Sequence, residues 1–206
     1  ITPPHATILF GVVFDMAINN GVNPKNGKAS PVKTGYLPDM KSLDEVKKAV
    51  EDMARWVMRW NATCSNYTEY LMMRRTSLAA LSLGIEGCME SGKDCTQGGA
   101  KYNSYGGTAT GLATIADSLT TIKYMVFDKK LCTAQELYNA VMANWEGYED
   151  LRQTILAEVP HYGNDDPYAD VEMQWVTDLY YRLCGELYSV RSKKFKSGLY
   201  GASDHV

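Results

Sequence analysis

Apolar residues recur at spacings of three and four along most of this chain, which is the spacing of an amphipathic α-helix. The first such stripe follows Ser42-Leu43-Asp44-Glu45, a capping box in which the Ser42 hydroxyl is placed for an unpaired backbone amide and Glu45 reaches back. The apolar members of this stripe are Leu43, Val46, Val50, Met53, Val57 and Trp60. The pattern predicts a helix that begins near residue 43 and packs along one continuous face.

The same spacing predicts further helices, and a second capping box, Thr133-Ala134-Gln135-Glu136, marks the start of one of them. They cover about 69–89, 115–126, 134–144 and 148–157. Asp166-Pro167 is an N-cap followed by proline at the first helical position, where the missing backbone donor costs little. We expect a long helix from there to about Arg191.

Strand patterns are sparse, and glycine and proline mark the connections. Strands are predicted over residues 8–13, 101–105 and 198–202. An exposed loop is predicted from Asn23 to Met40, and a glycine-rich loop from Gly98 to Gly111. The pattern therefore predicts an α/β chain that is mainly helical.

Composition excludes several classes of function. The 206 residues carry a formal charge of −3, so no basic surface favours nucleic acid as a partner. No apolar run reaches the roughly 18 residues that a membrane span needs, and no signal peptide pattern opens the chain. The cysteines are odd in number and widely spread, at 64, 88, 95, 132 and 184. A reducing, cytoplasmic location is the expectation.

Local motifs leave the chemistry open. Gly87-Cys88-Met89-Glu90 places a thiol two residues from a carboxylate that could move protons; the alternative is a small buried cysteine at a helix end. Asn164-Asp165-Asp166, taken with Asp170 and Glu172, lacks the alternating oxygen ligands and the distal glutamate of a calcium loop, so capping of the long helix explains this cluster better. The residues alone thus indicate a helical domain, which could be a non-catalytic interaction module.

Three blocks, in this order, carry more information. They are Gly98-Gly99-Ala100-Lys101-Tyr102-Asn103, Ala116-Asp117-Ser118-Leu119 and Tyr162-Gly163-Asn164-Asp165-Asp166. Together they resemble the glycyl radical enzymes, the family of pyruvate formate-lyase and its dehydratase, lyase and decarboxylase relatives. The resemblance implies a ten-stranded α/β barrel. It also implies a glycyl radical installed by a radical S-adenosylmethionine activating enzyme, with no bound cofactor or metal.

In that family the radical passes to a cysteine in a Gly-Cys-x-Glu loop, and the thiyl radical takes hydrogen from the substrate. Cys88 mimics this loop but lies just ahead of the Gly98 block, whereas the family's loop lies well upstream. The resemblance therefore places the catalytic cysteine before Ile1 and the radical glycine after Val206. Residues 1–206 would form an interior part of one barrel domain, catalytically inactive by itself.

The resemblance also implies where the substrate lies. Tyr200 is expected to face it, with Lys196 as a basic residue four positions earlier, although Tyr200 could equally pack in the barrel wall. His5 is a third candidate, with a buried core histidine as its alternative.

The implied function is a glycyl radical lyase that cleaves a C–O, C–N, C–S or C–C bond of a small organic molecule. Arylacetate decarboxylation is the alternative within the family. Its expected partners are the substrate, the activating enzyme and further copies of itself.

Overall fold

The computed structural model describes residues 7–103, 105–191 and 193–199. Its helices are α1 Phe10–Ile18, α2 Leu43–Arg75, α3 Ala79–Ser82, α4 Cys88–Ser91, α5 Leu112–Ile122, α6 Ala134–Met142, α7 Glu149–Glu158 and α8 Pro167–Gly185. Its strands are β1 Thr7–Leu9, β2 Tyr105–Thr110 and β3 Phe195–Leu199. The prediction of a mainly helical α/β chain is confirmed over these residues.

Contacts divide the chain into two units. Among the described residues, the first unit comprises 7–8, 57–103, 105–110, 180–191 and 193–199, and the second comprises 9–56 and 111–179. The first contains the sheet, in the order β1-β2-β3, with β2 parallel to β3. Tyr105 pairs with Phe195 and Ala109 with Leu199.

α2 is one helix where the sequence predicts two. Buried positions follow the predicted stripe through Met53, but Trp60 is 63% exposed. The buried face continues instead over Met58, Ala62, Ser65 and Glu69. Because two of these are polar, an apolar pattern could not reveal that the helix continues. The prediction of a helix over 69–89 is wrong after Arg75, where two four-residue helices follow.

Of the two hydrogen bonds that make up the capping box predicted for α2, one forms as expected and the other has a different donor. The Glu45 amide donates to the Ser42 hydroxyl at 3.3 Å, as expected. The Glu45 carboxylate accepts the Lys41 amide at 2.8 Å, one residue earlier than a capping box has it. The caps at Thr133 and Asp166 form as predicted, although α8 ends at Gly185, short of Arg191.

The first two strand predictions are only partly right. β1 ends at Leu9, where α1 follows, and β2 shares only Tyr105 with the predicted 101–105 strand and otherwise lies inside the region predicted as a glycine-rich loop. β3 includes residues 198 and 199 of the predicted 198–202 strand, and residues 200–202 lie outside the described residues. The Asn23–Met40 segment is a loop with one short 3-10 turn, but Ser30, Leu37 and Met40 are buried rather than exposed.

A π-helical turn, Lys123–Asp128, follows α5 directly. Its wider turn moves the buried position, so Met125 rather than the predicted Val126 lies in the core.

Candidate functional site

Of the three candidate substrate residues, the structure describes Lys196. It is exposed and lies on β3. His5 and Tyr200 lie outside the described residues. The candidate site therefore centres on Lys196.

Lys196 borders an open cleft of about 470 Å³ in the first unit. Residues at the end of α8 and just after it form one wall: Tyr181, Cys184, Gly185 and Leu187. Residues of β3 and the lysine before it form the other: Lys194, Phe195, Lys196 and Ser197. Two lysines and two hydroxyl-bearing residues thus border the cleft together with apolar residues. This combination suits a small molecule that carries an anionic group.

Pairing of β2 with β3 holds the backbone that carries Lys196. Phe195, the residue before it, is buried at 5% exposure, whereas Lys196 is exposed. Close approach of β2 fixes the backbone: a Cβ on Gly106 would lie 1.7 Å from the Lys196 carbonyl oxygen. A glycine is required there because the obstacle is backbone, which cannot swing aside.

Tyr180 of α8 anchors the same pair of strands from a buried position. Its hydroxyl donates to the Gly107 carbonyl at 2.7 Å or to the Gly198 carbonyl at 3.0 Å, and it accepts the Gly198 amide at 3.3 Å. Burial raises the pKa of Tyr180 above its usual range, so the hydroxyl stays a donor at working pH. Nothing in the helical spacing of the sequence indicated this contact.

Cys184, at the edge of the cleft, is a thiol and not a thiolate. Burial raises its pKa to about 11. It therefore contributes apolar surface to the cleft rather than a nucleophile.

The Gly87-Cys88-Met89-Glu90 segment is a structural turn. Cys88 is buried at the start of α4, and burial raises its pKa. The Glu90 carboxylate accepts the Gly87 amide at 3.0 Å. The interpretation of Cys88 as a small buried cysteine at a helix end is confirmed.

The Gly98 block is a loop closed by backbone contacts. The Asn103 amide donates to the Gly98 and Ala100 carbonyls at 3.2 and 2.7 Å. A Cβ on Gly87, which has φ +96°, would lie 2.5 Å from the Lys101 nitrogen. The side chains of this block thus shape the loop itself.

Asp94 holds the loop that precedes this block. Its carboxylate accepts the Thr96 and Leu78 amides, each at 2.8 Å, together with the Ser77 and Thr96 hydroxyls. These bonds, that from the Thr96 amide first, hold the pKa of Asp94 well below its usual range.

A pH prediction follows from Asp94. Because its folded pKa is lowered, its stabilisation is complete above the unfolded pKa of about 3.9 and is lost as pH falls toward the folded pKa. We expect Asp94→Ala to speed amide exchange in residues 76–99 severalfold at neutral pH and to flatten its dependence below about pH 4. The exposed Asp178→Ala is the control. An unchanged exchange profile in Asp94→Ala would contradict this role.

In the second unit, Asp117 connects two of the three family blocks. Its carboxylate accepts the Tyr162 amide at 2.8 Å, and its other oxygen lies 4.0 Å from His161 Nδ1. Asp166, at the end of the third block, caps α8 through the Tyr168 amide. These carboxylates bind backbone groups, which agrees with the capping interpretation.

Two carboxylates are buried that the sequence did not predict to be, and Glu172, which was grouped with the residues that cap the long helix, is one of them. In the second unit, Glu172 is 2% exposed and lies 2.7 Å from Lys47 Nζ and 3.5 Å from Lys123 Nζ. In the first, Glu69 is 3% exposed and lies 3.1 Å from Arg191 Nε. An acidic residue at a core position of a helical pattern was the signal that could have found them.

Within the described residues, no group of three or more histidine, cysteine or acidic side chains could hold a metal ion. Among the same residues, no helix has both the length and the apolar character to cross a membrane. All five cysteines are free.

Comparison with known proteins gives the family. The model of the pyruvate formate lyase-like family matches residues 5–206. The chain is 35% identical over 195 residues to a (2S)-3-sulfopropanediol dehydratase of Klebsiella oxytoca, covering 94% of this chain and 24% of that protein. It superposes on hydroxyproline dehydratase from Clostridioides difficile with a TM-score of 0.89 at 30% identity, covering 97% of this chain and 26% of that one.

A third relative is a decarboxylase. The chain is 27% identical over 183 residues to the 4-hydroxyphenylacetate decarboxylase glycyl radical subunit of Clostridium scatologenes, covering 77% of this chain and 20% of that protein. The chain thus spans about a quarter of the length of the curated relatives it matches. The resemblance drawn from the three blocks is confirmed: the chain belongs to the pyruvate formate lyase-like family, that of the glycyl radical enzymes.

Proposed function

We propose that these residues are part of a glycyl radical lyase that cleaves a C–O, C–N, C–S or C–C bond of a small organic substrate. The observation that carries this proposal is similarity in both sequence and fold over nearly the whole chain to dehydratases of the family. In the proposed enzyme a glycyl radical, installed by an activating enzyme, passes to a cysteine, whose thiyl radical takes hydrogen from the substrate. Both radical-bearing residues would lie outside residues 1–206, which contribute helices and strands to one ten-stranded barrel.

Dehydration is the reaction that we favour. Two of the compared proteins are named as dehydratases, and both names specify a hydroxylated substrate that carries an acidic group. Lys196 beside the cleft supplies the matching positive charge. We propose that Lys196, Tyr200 and His5 face a small hydroxylated acid. Cytoplasmic location and self-association stay predictions.

Decarboxylation of an arylacetate is the second candidate, supported by the relationship to the decarboxylase subunit. The two reactions differ in what is lost, since dehydration releases water and decarboxylation releases CO₂. A non-catalytic helical domain, the remaining alternative, would form no radical at all.

The test uses the intact polypeptide that carries these residues, activated anaerobically with its activating enzyme and S-adenosylmethionine. We expect the electron paramagnetic resonance signal of a glycyl radical, followed by turnover of one member of a panel of hydroxylated acids and arylacetates. Absence of a Gly-Cys-x-Glu loop ahead of Ile1 and of a radical glycine motif after Val206, together with no radical signal, would overturn the proposal. Loss of CO₂ instead of water would favour the second candidate.

Lys196→Met tests the proposed substrate contact. Loss of a charged hydrogen bond is worth about 1.5–3 kcal/mol, so we expect KM to rise about 10- to 100-fold, with a smaller change in kcat. The radical signal should not change, because Lys196 has no part in forming it. Lys196→Arg should retain part of the affinity, and Lys28→Met, in an exposed loop, is the control. An unchanged KM in Lys196→Met would remove Lys196 from the site.

A further inference from the structure

Tyr180 connects the two walls of the cleft. It lies on α8 four residues, about one helical turn, before Cys184, which lines one wall. Its hydroxyl bonds backbone groups of β3, the other wall, and of β2. One buried side chain therefore spans from the helix to the strand that carries Lys196.

The hydroxyl lies at the β2–β3 pairing. A phenol carries one proton, so it donates either to the Gly107 carbonyl or to the Gly198 carbonyl while it accepts the Gly198 amide. In the β2–β3 pairing, Gly107 is opposite Ser197 and Thr108 is opposite Gly198. The hydroxyl thus bridges a residue of β2 and a residue of β3 that are offset by one position. With Tyr180 only 2% exposed, no bulk water can replace the hydroxyl if it is removed.

Two contacts therefore fix the backbone of β3 on either side of Ser197. The Gly106 backbone approaches Lys196 closely, as described above, and Tyr180 holds Gly198. Positions 196 and 198 face the same side of the strand. A shift of β3 at Gly198 would move the Lys196 side chain along the cleft.

We propose that Tyr180 is a positioning residue: its hydroxyl holds β3 against the end of α8 and thereby sets the place of the Lys196 ammonium in the cleft. That the position of Lys196 matters for substrate binding rests on the proposed function. That Tyr180 sets this position does not rest on it, and it can be tested without a substrate.

The first test compares Tyr180→Phe with Tyr67→Phe in the intact polypeptide. Phenylalanine keeps the ring and removes only the hydroxyl, and Tyr67 is a tyrosine of α2 in the same unit, 65% exposed and away from the cleft. The readout is the rate at which Lys196 is acylated by an amine-selective reagent, divided by the rate for Lys93. Lys93 is an exposed lysine of the same unit. General loosening of the unit would raise both rates, whereas release of β3 raises the ratio.

We expect Tyr180→Phe to raise this ratio about twofold or more, because local loosening of a strand frees the side chains that it carries. Tyr67→Phe should leave the ratio unchanged. An unchanged ratio in Tyr180→Phe, or an equal rise in both variants, would overturn the proposal.

A second measurement separates this proposal from the proposed function. With the substrate that the panel identifies, Tyr180→Phe should raise KM while kcat stays within about twofold, since the hydroxyl touches strand and not the reacting atoms. If the acylation ratio rises and Lys196→Met leaves KM unchanged, the positioning role stands and the assignment of Lys196 to the substrate site fails. If Lys196→Met raises KM and Tyr180→Phe leaves the acylation ratio unchanged, the assignment of Lys196 to the substrate site stands and the positioning role of Tyr180 fails.

Discussion

Replacing Arg191 with methionine is expected to destabilise the surroundings of Glu69 by about 3–5 kcal/mol, the usual cost of removing one partner of a buried ion pair. The Glu69 carboxylate would keep the Ser189 hydroxyl, at 3.1 Å, and lose the cation 3.1 Å away. Arg191 also donates to the Cys95 carbonyl at 3.3 Å, so its loss would free the loop before the Gly98 block. Hydrogen exchange of the second half of α2, measured in the intact polypeptide, reports the change.

Two variants control this prediction. Arg75→Met removes an exposed arginine at the end of the same helix and should cost less than about 0.5 kcal/mol. The double variant Arg191→Met with Glu69→Gln should recover a large part of the loss, because no unpaired charge then remains buried. A cost below about 1 kcal/mol for Arg191→Met would show that Glu69 is not held by this pair.

The second large effect is expected at Lys47. Lys47→Met leaves the buried Glu172 carboxylate with Lys123 alone, whose ammonium is at 3.5 Å rather than 2.7 Å. It also removes a cation that lies 5.2 Å from the ring centre of Trp175. We expect a loss of about 3 kcal/mol, at the lower end for a broken buried pair because one cation stays. Local exchange rates in α8 are the measurement.

Lys48 provides a matched control one residue away. It pairs with Asp52 at 3.1 Å on the exposed side of the same helix, with its side chain 76% exposed. Lys48→Met should cost no more than about 0.5 kcal/mol, the value of an exposed pair of this spacing. Equal effects of Lys47→Met and Lys48→Met would show that Glu172 does not depend on its buried partner.

Local rules predicted the ends of elements better than their extents. The caps at Thr133 and Asp166 depend on two or three neighbouring residues, and both form as predicted. The extent of α2 depends instead on Glu69 being buried by Arg191, which lies more than a hundred residues away in the sequence. Periodicity of apolar residues cannot detect such a contact, so the helix was predicted in two parts.

Contacts between residues distant in sequence also limited the prediction of the strands and of the candidate site. β2 has the sequence Tyr-Gly-Gly-Thr-Ala-Thr, whose glycines predict a loop, yet those glycines are what allow β3 to approach. Lys196 was selected through the family resemblance, and the structure places it beside a cleft. Tyr180 could not be selected, because its partners are backbone atoms of strands distant in sequence.

The Asp117 contact with the Tyr162 amide also affects how such proteins can be sorted. In the blocks that reveal the family, the distinctive side chains hydrogen-bond main-chain atoms. Asn103 binds a carbonyl of its own loop, Asp117 binds the amide of Tyr162, and Asp166 binds an amide in the first turn of α8. A search with these blocks would therefore group proteins by their shared fold, regardless of which bond each one cleaves. Under the proposed function, grouping by reaction would rely instead on positions beside the cleft, such as 194, 196 and 197.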